Sequence, residues 1–144
     1  MSHRFPERVL ALAGALLAFG PGQAAAGPAF DPVLAEMGAE AYPRYCGSCH
    51  GVRGEGDGPT ASALRTRPAD LTRIAARRGG AFPTGEIARF IDGRFTLPAH
   101  GSREMPVWGE RFGEAIPETS VAEEITRGKI ATLVEYLKSI QRKD

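Results

Sequence analysis

The chain has 144 residues, 18 basic and 17 acidic side chains, and a hydrophobic fraction of 42%. That length admits one small domain, and the charge balance excludes a general nucleic-acid binder, which carries a marked basic excess. The 18 glycines and 11 prolines imply long loops between short helices, and with so much of its apolar content as alanine the chain would fold more convincingly around a large apolar cofactor.

The first 26 residues read as a segment to be removed. Arg4 and Arg8 give a positive start, Val9 to Phe19 is an apolar or small run of 11 residues, Gly20-Pro21 breaks it, and Ala24-Ala25-Ala26 supplies the small residues of a cleavage site. This is the pattern of a secretory signal peptide cut after Ala26, which makes the mature protein periplasmic. The run is shorter than the roughly 20 apolar residues of a spanning helix, so no membrane span is expected in the mature chain. Loss of Arg4, Arg8 and Glu7 leaves 118 residues with 16 charges of each sign.

After a short lead at 27–31, Asp31-Pro32 suits a helix start, with Asp31 as N-cap and proline at the first helical position. A helix is predicted from Val33 to Cys46, with Pro43 bringing a kink or an early end. "GVRGEGDGP" at 51–59 is a glycine-rich loop. Short helices are predicted over 68–80 and 83–93, each stopped by glycine. The stretch 94–117 has no helical period and reads as loop. Ser120 and Glu123 form an S-x-x-E capping box, and Val121, Ile125, Ile130, Leu133, Val134, Leu137 and Ile140 make the stripe of a final helix. Nothing alternates with a period of two for long enough to make a sheet, so the fold class is all-α, four or five short helices with long loops.

The only two cysteines stand in "YCGSCHG", at Cys46 and Cys49, beside His50. The spacing admits a redox dithiol, half of a zinc site, or attachment of haem c. A structural zinc ion wants four ligands, and adjacent Cys49 and His50 rarely fit one tetrahedron. A thioredoxin-type dithiol wants a βαβ setting, which is absent. A disulfide within C-x-x-C closes too short a loop to stabilise much. One helical turn, by contrast, faces Cys46 and Cys49 the same way, offering two thioethers to one haem with His50 on its iron.

The second axial position decides between a carrier and an open site for small ligands. Met37 lies upstream of the cysteines and reads as a core residue. Met105, in "HGSREMPVWG", lies 55 residues beyond His50 in a loop stiffened by Pro106, and is the choice for distal ligand. His100 is its competitor, read instead as a solvent-exposed or hydrogen-bonding residue. Trp108 either packs on the haem edge, with its N–H towards a propionate, or fills core.

Together these stretches resemble the class I c-type cytochromes, bacterial monohaem electron carriers, over residues 32–141. "GAEAYPRYCGSCHG" is similar to the family's first helix and haem motif, "GVRGEGDGP…PADLT" to the loop that follows in one bacterial subgroup, "MPVWG" to that subgroup's distal-ligand loop, and "LVEYLKSIQ" to its last helix. The resemblance implies a cytochrome c fold around one covalently bound haem c per chain, with thioethers at Cys46 and Cys49, His50 proximal and Met105 distal. It implies a close crossing of the first and last helices, permitted by Gly38, with Tyr42 near Leu133 and Tyr136. It also implies a proline carbonyl behind the proximal imidazole, with Pro59 the candidate and Pro68 the alternative. The function implied is one-electron transfer between redox protein partners, with no catalytic residue; the alternatives are a subunit of a dehydrogenase or oxidase complex, or a haem enzyme or gas sensor with an open distal face. Arg65, Arg67, Arg73, Arg77 and Arg78, set against Asp70, and the acidic stretch Glu110, Glu114, Glu118, Glu123 and Glu124, set against Arg111, suggest a dipole that steers docking.

Overall fold

The computed structural model describes residues 28–94 and 104–142, so the signal-peptide reading of 1–26 and His100 lie outside the described residues. Within them are five α-helices, three 3-10 turns and no strand. Helix α1, Pro32–Tyr45, starts as its sequence asks: Asp31 accepts from the N–H groups of Val33 and Leu34 at 2.9 and 3.1 Å. Pro43, which has no N–H to give to the turn before it, falls in the last turn, and the helix ends two residues later. A single turn, α2, Gly47–His50, follows directly.

The longest element is α5, Thr119–Ser139. Ile130, Leu133, Val134 and Leu137 recur at helical spacing and are buried, joined in one core with Tyr42 of α1, Ile91 and Phe112. Each such aliphatic side chain taken out of water contributes about 1.5–3 kcal/mol. Helix α1 lies across α5 with almost no gap. A Cβ at Gly38 would stand 2.1 Å from the Thr132 carbonyl oxygen and 2.7 Å from the Tyr136 Cβ. One turn on, Tyr42 packs against Tyr136 with ring centroids 5.0 Å apart and donates its hydroxyl to the Gly51 carbonyl at 3.1 Å. The close crossing implied by Gly38 and Tyr42 is the one observed.

Three sequence expectations are corrected. Residues 68–80 form not one helix but two 3-10 turns, Leu71–Arg73 and Ala76–Arg78, because Asp70 caps the first by accepting from the Thr72 N–H at 2.8 Å and the pair Gly79-Gly80 stops the second before it can lengthen. The stretch expected to be loop up to Pro117 contains α4, Trp108–Gly113, too short to show a period. The capping box is not made. Helix α5 begins before Ser120, with Glu118 at the N-cap, and the Ser120 hydroxyl donates to the Glu118 carboxylate at 2.9 Å.

Glu123 is used elsewhere. Helix α3, Thr84–Asp92, ends at Gly93, whose left-handed φ of 75° turns the chain so that Arg94 folds back. The Arg94 guanidinium grips buried Asp92 at 2.7 and 2.8 Å and Glu123 at 2.6 and 3.1 Å, tying the end of α3 to the start of α5.

Two outcomes are expected. Gly38→Ala forces a methyl group into the Thr132 backbone and should cost about 1–3 kcal/mol, the range of an overpacked core, read as a lowered urea midpoint with unchanged slope. Arg94 holds the Glu123 carboxyl below the ordinary carboxylate range, chiefly by hydrogen bonding and then by charge. Its ionisation therefore favours the folded state above that ordinary range, and the benefit disappears as pH falls through the lowered value. Glu123→Gln should have a lower urea midpoint than wild type near neutrality, with the gap closing below about pH 4.

Candidate functional site

The turn after α1 sets the site. The Cys46 N–H closes α1 on the Tyr42 carbonyl at 2.8 Å, and the His50 N–H returns to the Cys46 carbonyl at 2.9 Å, so both cysteines and the histidine sit on one wound segment. The glycine-rich loop folds back over it. The N–H groups of Gly56 and Gly58 donate to the carbonyls of His50 and Cys49 at 2.8 and 3.2 Å. A Cβ at Gly58 would come within 2.3 Å of the Ser48 carbonyl, so this approach requires a residue without one.

A cavity of about 450 Å³ opens beside this turn, walled by Cys46, Cys49, His50, Met105, Pro106 and Trp108, with Tyr45, Leu64 and Pro68 among the rest. A second, of about 280 Å³, shares Cys46, His50, Ala69, Phe90 and Met105 with it and reaches inward to Leu71, Ile74, Leu133 and Leu137 of the core. Met105 and His50 line both. Trp108 packs against the core, one of the two readings given for it. It walls the larger cavity, and it packs on Tyr45 and Phe112, each with centroids 5.5 Å away, so that α4 is fixed to the end of α1. Met37 is 53% exposed and lines neither cavity, so its reading as a core residue is corrected: it lies on the α1 surface turned away from α5 and the site.

The carbonyl at the His50 imidazole belongs neither to Pro59 nor to Pro68. His50 Nδ1 lies 3.0 Å from the Ala69 carbonyl oxygen, and Pro59 lines neither cavity. A carbonyl only accepts, so Nδ1 carries the proton and Nε2 keeps its lone pair, the form in which imidazole binds a metal. Burial pushes the His50 pKa down, against the hydrogen bond to Ala69, and so favours the neutral ring. Ala69 is braced from the far end of the chain. The Gln141 side chain accepts from the Ala75 N–H at 2.8 Å and donates to the Leu71 and Leu137 carbonyls at 2.7 Å each, while the Arg142 N–H donates to Thr72 at 2.9 Å.

Cys46 and Cys49 are both free thiols. Cys46 packs against the core, and burial, followed by the neighbouring Cys49, pushes its thiol up to about 12. Among the described residues no three His, Cys, Asp or Glu side chains gather as a metal-binding cluster, so the parts of a structural zinc site are missing there. Two sulfurs and one imidazole on the wall of a largely apolar cavity are instead a donor set that fits haem c.

A family model described as Cytochrome c matches residues 35–141. The chain belongs to the cytochrome c family. No curated protein matches it. Covalent haem c, electron transfer and export as a soluble protein are the family's usual attributes, and Cys46, Cys49 and His50 supply the C-x-x-C-H motif by which this cytochrome fits them. No helix among the described residues is long and apolar enough to cross a membrane. The residues that sequence reading missed are the Ala69 carbonyl, Gln141, Tyr45, Phe90 and, alone among them charged, Glu104. Only the proline beside Ala69 hinted at the first.

Gln141→Ala removes three hydrogen bonds at a part-buried site. It should destabilise the cytochrome by about 1–3 kcal/mol and speed hydrogen exchange at the Ala75 amide, while Gln141→Glu, which keeps an acceptor for that amide, should protect it.

Proposed function

We propose that this cytochrome is a periplasmic one-electron carrier holding one haem c, with thioethers at Cys46 and Cys49, His50 as proximal ligand and Met105 as distal ligand. The observation that carries the reading is the placement of Cys46, Cys49, His50 and Met105 on the wall of one cavity, 55 residues of chain separating the two axial candidates. Bound haem supplies reversible one-electron chemistry at its iron, and thioether ligation opposite histidine favours the reduced state.

The chain's own contribution is orientation and exclusion of water. Ala69 fixes the His50 ring and its tautomer. The cysteines, in the one-turn helix and its cap, would hold the group in the cavity that Tyr45 and Trp108 also wall. Leu71, Ile74, Leu133 and Leu137 give the inner wall a low dielectric, which raises the cost of net charge within the site.

Partners would be redox proteins, donor and acceptor, docking where the cavity meets the surface. Arg67 borders the larger cavity and Arg77 and Arg78 the smaller, beside half-exposed Phe90. The basic cluster is less unopposed than its sequence suggests, since Arg78 is held by Glu86 at 2.5 and 2.6 Å. An acidic partner surface matches Arg67 and Arg77 at the cavity rims, with association slowing as salt rises.

The test is the optical spectrum of the exported protein made with haem-attachment machinery. Haem should stay on the denatured chain, and the ferric form should show the weak long-wavelength band of a methionine–iron bond, lost in Met105→Ala. Covalent haem without that band overturns the ligation, and absence of covalent haem overturns the whole reading.

A further inference from the structure

Met105 sits in a stretch with no helix of its own, between Glu104 and the first residue of α4. What holds it differs on the two sides. Towards α4, Pro106 fixes one backbone angle and Trp108 is locked between Tyr45 and Phe112. On the other side the hold is Glu104. Its Oε1 accepts from the Arg65 N–H at 2.9 Å and its Oε2 from the Thr66 N–H at 3.1 Å, and the Thr66 side chain adds a further bond. Both carboxylate oxygens are thus spent on backbone nearly forty residues away in sequence. The two segments so joined, Leu64 to Arg67 and Glu104 to Pro106, are facing parts of the larger cavity's wall.

We propose that Glu104 is a positioning residue for the distal ligand: its carboxylate straps the Met105 segment to the backbone of Arg65 and Thr66 and thereby sets how readily the thioether leaves the iron. The inference rests on the reading of Met105 as that ligand and deepens it. A methionine–iron bond is weak enough for an added ligand to displace when its loop can swing away, so the displacement equilibrium includes whatever restrains the loop. Hydrogen bonds to an ionised carboxylate are roughly twice as strong as neutral ones, but Glu104 is exposed, where water competes for both partners. The expected effect is therefore several-fold, not hundreds-fold.

The experiment uses the ferric holoprotein and titrates free imidazole against the long-wavelength methionine–iron band. Glu104→Ala should keep the band in the absence of imidazole and lose it at an imidazole concentration about five- to tenfold lower than wild type. Glu104→Gln, whose single carbonyl oxygen preserves one of the two backbone bonds, should fall between. Glu123→Gln, which weakens the fold away from the cavity, should match wild type in this titration. An unchanged imidazole midpoint in Glu104→Ala overturns the proposal. So does a shift of equal size in Glu123→Gln, which would make the effect one of general stability. If wild type itself lacks the band, or Met105→Ala retains it, the distal assignment is wrong and the strap's proposed role falls with it, an outcome visible before any Glu104 variant is made.

Discussion

Everything in this cytochrome hangs on the contact between Gly38 and Thr132, where two helices from opposite ends of the described chain meet backbone to backbone. The approach is closer than any side chain at position 38 allows. It sets the angle at which α1 arrives at the core and hence where its last turn delivers Tyr45, Cys46 and the turn that follows. Tyr42 then converts the crossing into a fixed register, packing at a tilt on Tyr136 and bonding to Gly51 at the start of the glycine-rich loop. The donor set of the cavity is thus placed by a helix contact that touches none of the donors.

The same economy appears on the proximal side. His50 is oriented by a backbone oxygen, and the segment after Ala69 that carries it is pinned by Gln141 and Arg142 just past the end of α5. The long helix supplies both the inner wall and the brace behind the imidazole. On the other face, α4 is anchored by three aromatic rings and α3 by the Asp92–Arg94–Glu123 cluster. Polar groups in the interior of the described residues are accordingly paired: no buried side-chain nitrogen or oxygen lacks a partner there.

What could be read in the sequence was whatever a side chain announces. Cys46, Cys49 and His50 declare their chemistry by type and spacing, Asp31-Pro32 declares a helix start, and the stripe from Ile130 to Leu137 declares the core helix. Gly38 and Tyr42 were legible through the family resemblance. What failed was whatever depends on competition or on backbone. Ser120 and Glu123 satisfy a capping pattern, yet Arg94 offers Glu123 a stronger partner than the helix end does. Helix α4 is six residues long, shorter than two turns, so no period identifies it. The Ala69 carbonyl is invisible in principle, since every residue carries one. Met37 reads as core by its hydrophobicity alone, but its position puts it on the solvent side of α1.

The burial of Cys46 has a consequence for its reactivity. A thiol pushed up to about 12 stays protonated in the folded chain and is a poor nucleophile. The contacts that bury it join residues almost a hundred positions apart, through α1 and α5. The reactivity of the sulfur is therefore set by how tightly α5 docks on α1, and not by the C-x-x-C-H turn alone.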